Sequence, residues 1–309
     1  MTTYGFVGLG SMGAPMAVRL AARCVERGDR LLVWNRSSGR DAAVLAEGAE
    51  VARDPAQLAA ACDVVVVMLP DLPQLIELTD GPGGLLGEVQ TPTVLVICSS
   101  ISPEGARDYA EHAAELTGGL VQVVDAPVSG GPEGASAGTL AIMVGGSEAA
   151  VAAAWPALTA LGATVRHLGP IGSGSLAKAC NQMVVAATMI ALSEASVLAE
   201  SAGVDAAGLL DVLGGGYASS RVLEVKKHNL ISRTYPPAGK AAYMVKDLEF
   251  VRAEAELTGA RVGQAELSLA MFAAVADAGL GDQDMSVVHQ VIREQAQGLS
   301  AQTATSTPG

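Results

Sequence analysis

The chain is poor in positive charge: 19 lysines and arginines stand against 32 acidic residues, giving a formal net charge of -13 over 309 residues. No lysine/arginine run interrupts that balance, which excludes a nonspecific nucleic-acid binder and a protein drawn to anionic membrane surfaces, since both need a positive patch. Cysteine is scarce: Cys24, Cys62, Cys98 and Cys180 are widely spaced and form no C-x-x-C pair. Neither a disulfide framework nor a zinc site is suggested, and all four are expected to be reduced, buried thiols. His112, His167, His228 and His289 stand in no ligand or triad spacing and read as structural, so no metal is expected. The apolar stretch at 183–192 is too short to cross a bilayer and stops at Ser193 and Glu194. The opening M-T-T-Y-G-F-V-G-L-G lacks the basic stretch and long apolar run of a signal peptide. The chain reads as soluble and cytoplasmic, with no membrane partner, and no repeat of fixed period occurs.

What is present is apolar mass and glycine. Half of the residues are hydrophobic, enough for one large or two medium cores. A β-type run at 3–7 leads into G-L-G-S-M-G at 8–13 and then a helical pattern with Met16, Val18, Leu20 and Ala21. The spacing G-x-G-x-x-G allows a tight turn at Gly8, close approach of backbone to a pyrophosphate at Gly10, and close helix packing at Gly13. Strand before and helix after are the context that makes this a dinucleotide site. The next strand, 30–34, ends in Asn35-Arg36-Ser37-Ser38, where an acidic side chain would favour NAD and an arginine accommodates the extra phosphate of NADP. Arg36 therefore favours NADP(H), with NAD(H) still possible.

Further β/α units follow. Continuous β-branched runs such as D-V-V-V-V-M-L at 63–69 are what strands covered on both faces of a parallel sheet look like. Leu69-Pro70 and Ser99-Ser100 then fall at carboxyl ends of strands, the edge where open α/β sheets bind ligands. After a strand at 120–124, D-A-P-V-S-G-G-P at 125–132 places glycines beside Ser129, so that backbone N–H groups can converge on an anion; the plainer reading is a flexible turn.

The stretch 172–182, G-S-G-S-L-A-K-A-C-N-Q, opens a helix that is apolar on nearly every face to 198 and is expected to be buried. Lys178 is its only basic residue, with Asn181 and Gln182 three and four places on and hence on the same side. A desolvated ammonium has a lowered pKa and suits a proton donor near neutral pH; a lysine snorkelling from a first helical turn is the alternative. Beyond it, strand signals almost vanish and helices are expected near 205–213, 219–230, 243–257, 267–279 and 285–297. The fold class expected is thus α/β: a Rossmann-type doubly wound sheet at 1–170, a long interdomain helix at 171–199, an all-α domain at 200–297 and a disordered tail at 298–309. Lys246 and Asp247 read either as an exposed ion pair or as a cofactor contact.

Taken together, the motifs resemble the β-hydroxyacid dehydrogenase family along nearly the whole chain: G-F-V-G-L-G-S-M-G-A-P-M-A, S-S-I-S-P at 99–103, D-A-P-V-S-G-G at 125–131, G-T-L-A-I-M-V-G-G at 138–146, K-A-C-N-Q and K-D-L at Lys246. The K-x-x-N-Q form and G-Y-A-S-S-R-V-L-E at 216–224 are most similar to the tartronate semialdehyde reductase branch, with 3-hydroxyisobutyrate dehydrogenases next. The resemblance implies that Lys178 is the catalytic acid/base, that Ser129, Gly130 and Gly131 hold a substrate carboxylate, and that Asn181 orients the substrate. It implies cofactor contacts at Gly8, Gly10, Met12, Gly13, Leu69, Pro70, Ser100 and Lys246, joining Asn35 and Arg36. It also implies a small carboxylated substrate and a homodimer or homotetramer. The chain departs from the family pattern at Ile97, often acidic, at Ser100, usually threonine, and at Gly239, often aromatic. Imine reductases share the G-L-G-x-M-G opening but generally lack the helix lysine, and a noncatalytic NADP-binding protein would leave Lys178 without a task.

Overall fold

The structure, a computed structural model, describes residues 1–80 and 83–305, the last seven by backbone alone. It divides into two compact units, Met1–Lys178 and Ala179–Gly309.

The first unit is built on nine strands: β1 Thr3–Val7, β2 Arg30–Trp34, β3 Glu50–Val51, β4 Val64–Val67, β5 Thr93–Ile97, β6 Val121–Asp125, β7 Val128–Ser129, β8 Ala141–Gly145 and β9 Thr164–Gly169. Their order is β3-β2-β1-β4-β5-β6-β8-β7, with β9 beside β8. From β3 to β6 every pairing is parallel; β8 then runs antiparallel to β6 and β7, and β9 parallel to β8. The connecting helices are α1 Gly13–Arg27, α2 Ala42–Ala46, α3 Pro55–Ala61, α4 Leu72–Thr79, α5 Pro103–Leu116, α6 Gly131–Ala137 and α7 Glu148–Leu161.

The β-branched runs explain the two-sided packing. Along β4, Val64 and Val66 enter one core with Phe6, Met16 and Leu20, while Val65 and Val67 enter a second core with Leu58, Leu75 and Tyr109. Alternation of side chains in a strand sends neighbours to opposite faces, so a strand covered by helices on both sides must be apolar throughout. Each fully buried valine or leucine contributes about 1.5–3 kcal/mol of transfer free energy, so β4 and its neighbour β5, buried along their whole length, anchor the sheet. Helix starts follow local chemistry: the Asp54, Asp71, Ser102 and Ser147 side chains accept the N-terminal N–H bonds of α3, α4, α5 and α7, with proline directly after Asp54 and Ser102 and two places after Asp71. Of these units α4 and the short α6 were not anticipated, α6 because its G-P-E-G-A-S-A sequence is rich in turn formers.

The second unit is helical, continuing α8 Ser173–Ser201 into α9 Ala206–Gly214, α10 Arg221–Ser232, α11 Ala241–Thr258, α12 Gly263–Asp277 and α13 Val288–Thr305. Its core gathers Ala186, Met189, Leu210, Leu223, Leu248 and Phe272. Two expectations need correction here. The helix α8 is not buried all round: Val184 is 59% exposed and Leu198 71%, because one side packs into the helical core while the opposite stripe meets solvent. At 29 residues it is also longer than the apolar stretch within it, long and apolar enough to cross a membrane by length and composition alone. Its buried side is the core of a folded helical unit, which accounts for the apolar composition. Cys180 lies on the open side, so only three of the four thiols are buried. Burial pushes Cys24 up to about 11 and Cys62 and Cys98 up to about 12, which keeps those three protonated. At the C-terminus the backbone of helix α13 extends to Thr305, past Gly298 where the tail was placed. Residues 306–309 of that tail lie outside the described ones.

Candidate active site

The strand order reverses between β1 and β4, and the glycine turn lies at the carboxyl end of β1, the place where an open α/β sheet forms a ligand crevice. Gly8 sits at φ +95°, a left-handed conformation that favours glycine, and a Cβ there would collide with the backbone of Met68 at the end of β4. A Cβ on Gly13, the first residue of α1, would collide with the Gly8 carbonyl. Gly10 differs, since a Cβ there would meet open space within the protein. Thus Gly8 and Gly13 are required by the chain itself, while the clearance over Gly10 suits a group approaching from outside. Met12 is the residue before α1 and makes no side-chain cap.

Asn35 fixes the turn. Its Oδ1 accepts from Leu9 N–H at 2.8 Å, and its Nδ2 donates to the Ser37 carbonyl at 2.7 Å, so one side chain ties the glycine turn to the loop after β2. That loop borders a pocket of about 220 Å³ lined by Leu9, Asn35, Arg36, Ser37, Asp41 and Arg53 among others. The residues fit a dinucleotide: a turn with free backbone above Gly10, and two guanidinium groups and serine hydroxyls beyond the β2 end. Arg53 was not singled out from the sequence because it belongs to the next β/α unit and only the parallel pairing of β2 with β3 brings it alongside.

The strand ends at β4 and β5 are joined in turn. Leu69 N–H donates to Ser99 Oγ at 2.9 Å, which holds Leu69-Pro70 beside Ser99-Ser100. Ser99 is fully buried and serves this tie, leaving Ser100 as the more accessible hydroxyl of the pair. Ile97, where the family often has an acid, is a core residue packed with Val67 and Leu95.

At the far side of the parallel strands, Ser129 ends β7 and pairs with Ala141 of β8. Gly130 (φ +141°) and Gly131 (φ +67°) follow in conformations that other residues rarely adopt. Lys178 reaches back to this segment from α8: its Nζ donates to the Val128 carbonyl at 2.9 Å. The structure therefore brings Lys178 and the S-G-G turn together within the first unit.

Asn181 and Lys246 belong to the second unit. There Asn181 Nδ2 donates to Gln182 Oε1 at 3.0 Å, and Gln182 Nε2 donates to the buried Asp247 Oδ2 at 2.8 Å. Lys246 Nζ lies 3.7 Å from Asp247 Oδ1 and 5.5 Å from the centre of the Phe250 ring. The chain Asn181, Gln182, Asp247, Lys246 is thus continuous, and Asp247 is a buried carboxylate rather than half of an exposed ion pair. Its signal in the sequence was only the neighbouring K-D-L. Gly239 donates its N–H to Asp284 Oδ2 at 3.2 Å, and a Cβ there would meet nothing.

Three of the four histidines are engaged elsewhere, His112 with Asp80, His167 with the Gly146 and Gly169 carbonyls, and His289 Nδ1 with Tyr235 Oη, while His228 is exposed. Among the described residues, no group of three or more His, Cys, Asp or Glu could hold a metal ion.

Comparison with known proteins agrees with this geometry. Residues 3–169 match the family described as the NAD binding domain of 6-phosphogluconate dehydrogenase, and residues 172–292 the NAD-binding domain of NADP-dependent 3-hydroxyisobutyrate dehydrogenase. The chain is 36% identical to a 2-hydroxy-3-oxopropionate reductase of Escherichia coli, covering 94% of this chain and 97% of that one. It is 34% identical to an NAD-dependent L-serine dehydrogenase of Pseudomonas aeruginosa, over 94% of this chain and 98% of that one. Among solved structures it resembles a Mycobacterium tuberculosis 3-hydroxyisobutyrate dehydrogenase studied with L-serine, with a TM-score of 0.80 at 33% identity, covering 95% of this chain and 99% of that one. With the glycine turn, the S-G-G turn and the helix lysine in family order, the chain belongs to the β-hydroxyacid dehydrogenase family of NAD(P)-dependent oxidoreductases.

Proposed function

We propose that this enzyme interconverts a small 3-hydroxy acid and its semialdehyde, the latter a 2-hydroxy-3-oxo acid in the reading most like tartronate semialdehyde reductase, with Lys178 as the general acid/base. The observation that carries this reading is the 2.9 Å hydrogen bond from Lys178 Nζ to the Val128 carbonyl, which fixes a half-buried ammonium beside the Ser129-Gly130-Gly131 turn. The bound dinucleotide supplies or accepts the hydride. Ser129 Oγ and the N–H groups around Gly130 and Gly131 hold the substrate carboxylate, as successive amides in positive-φ glycines suit an anion. Lys178 donates a proton to the carbonyl oxygen during reduction and recovers it during oxidation. Asn181, steadied by Gln182, orients the substrate, and Lys246 contacts the cofactor.

NADP(H) is the favoured cofactor in this reading, because Arg36 and Arg53 with Ser37 and Ser38 line one pocket and suit an added phosphate. We also read the enzyme as a homo-oligomer: Cys180, Val184, Ala191 and Leu198 fall on one exposed stripe of α8, a mostly apolar surface carrying the single charge of Glu194 and suited to a second copy. The test of the catalytic reading is a panel of tartronate semialdehyde and cyclic imines with NADPH or NADH, and of 3-hydroxyisobutyrate and L-serine with NADP+ or NAD+. The expected result is greatest kcat/KM for a short carboxylated aldehyde with NADPH. Turnover of cyclic imines alone, or of none of the panel, would overturn it.

A further inference from the structure

Asp125 is a fully buried carboxylate outside the machinery named so far, although it begins the D-A-P-V-S-G-G segment. It is the last residue of β6, and its two oxygens face the first turn of α8 from across the fold. Oδ1 accepts from Gly172 N–H at 2.9 Å and Oδ2 from Ser175 N–H at 2.6 Å. A helix leaves its first N–H groups unsatisfied and carries partial positive charge at that end. Both demands are met here by one anion supplied 47 and 50 residues earlier in the chain. Bonds of this charge-assisted kind are among the stronger and more directional in proteins.

The socket around it is tight. A Cβ on Gly145 would collide with Asp125 Oδ1, and one on Gly174 with the Asp125 and Met143 carbonyls. Three backbones, the ends of β6 and β8 and the start of α8, therefore meet at this side chain with no room to slide. Burial raises the Asp125 pKa, and the bonds from the Ser175 and Gly172 amides oppose that rise.

Three residues beyond Asp125, the Val128 carbonyl receives Lys178 Nζ; three residues beyond Ser175 stands Lys178 itself. The segment 125–128 is thus fastened to α8 at both ends, once through Asp125 and the helix amides, once through Val128 and the lysine. We infer that Asp125 is a positioning residue, whose carboxylate sets α8 so that Lys178 is held at a fixed place relative to the Ser129-Gly130-Gly131 turn. The inference rests on the reading of Lys178 as the acid/base.

The experiment is Asp125→Asn, which keeps the shape but presents an NH2 group to an N–H donor. kcat is measured per cofactor-binding site titrated with NADPH, beside Lys178→Ala. The expected result is a fall in kcat of roughly 100-fold, the scale of a misplacement near 1 Å, with NADPH affinity and the NADPH-titrated site count retained. A merely structural role would reduce the number of sites and leave kcat per site unchanged, and that result would overturn the inference. If Asp125→Asn does not fold, Asp125→Ser, smaller and uncharged, is expected to show the same loss; failure of both to bind NADPH also overturns it, since the carboxylate would then support the whole unit. Full activity in Lys178→Ala would remove the proton-transfer reading and this inference with it, whereas an inactive Lys178→Ala beside a fully active Asp125→Asn would overturn the inference alone.

Discussion

At the scale of single residues, buried charge divides into groups that organise chemistry and groups that hold the fold. Asp284 is of the second kind: fully buried, it accepts from Lys226 Nζ at 2.7 Å, from Ser286 Oγ at 2.6 Å and from the Gly239 amide. Burial alone would raise its pKa, but Lys226 and the Ser286 hydroxyl and amide outweigh that and hold it below the ordinary carboxylate value. A depressed carboxylate contributes stability that is complete above the unfolded pKa of about 3.9 and is lost as pH falls through the lower folded value. Asp284→Ala should cost about 3–5 kcal/mol by stranding a buried ammonium, read as a lowered urea midpoint of the helical unit at pH 7. The difference from the parent should shrink only below about pH 4, as the parent's own Asp284 becomes protonated. Arg36, by contrast, is an exposed charge that lines the pocket beyond β2. Arg36→Ala should raise KM for NADPH by about 10- to 100-fold, the value of a charged hydrogen bond of about 1.5–3 kcal/mol, and leave KM for NADH nearly unchanged. Equal effects on both cofactors would remove the 2′-phosphate assignment.

At the scale of elements, the glycine turn shows which constraints are internal to the chain. Gly13→Ala forces a Cβ into the Gly8 carbonyl and should lower the thermal midpoint, whereas Gly10→Ala meets no protein atom and should keep the midpoint while weakening NADPH binding in a fluorescence titration. The spacing already gave Gly8 the turn, Gly10 the approach of a ligand and Gly13 the helix packing; the structure adds which protein atoms a Cβ at Gly8 and Gly13 would meet. The strands were legible because a two-sided sheet demands continuous valine and leucine, as in β4 and β5. The short α6 was not, because its turn-forming residues carry no helical periodicity. Nor was the open side of α8: an apolar helix looks alike in sequence whether its second face meets a core or solvent, and only the packing of Ala186, Met189 and Phe272 separates them.

At the scale of the whole molecule, the site was legible as a set of motifs in order, while the ties between them were not. Nothing in the sequence joins Asn35 to Leu9, Ser99 to Leu69 or Asp125 to Ser175, since each bond spans 26 residues or more and exists only once the sheet has formed. The exposed apolar stripe of α8 belongs to this scale as well. Light scattering is expected to give a mass of two or four chains, and Val184→Glu with Leu198→Glu to shift it toward one; a parent that is already monomeric would remove the oligomer proposal. Proton transfer by Lys178 is read from the turnover of purified Lys178→Ala with NADPH and tartronate semialdehyde, measured beside its NADPH affinity. A loss of about 10²- to 10⁴-fold in kcat with cofactor binding intact is expected; near-full turnover in that variant would exclude Lys178 as the acid/base.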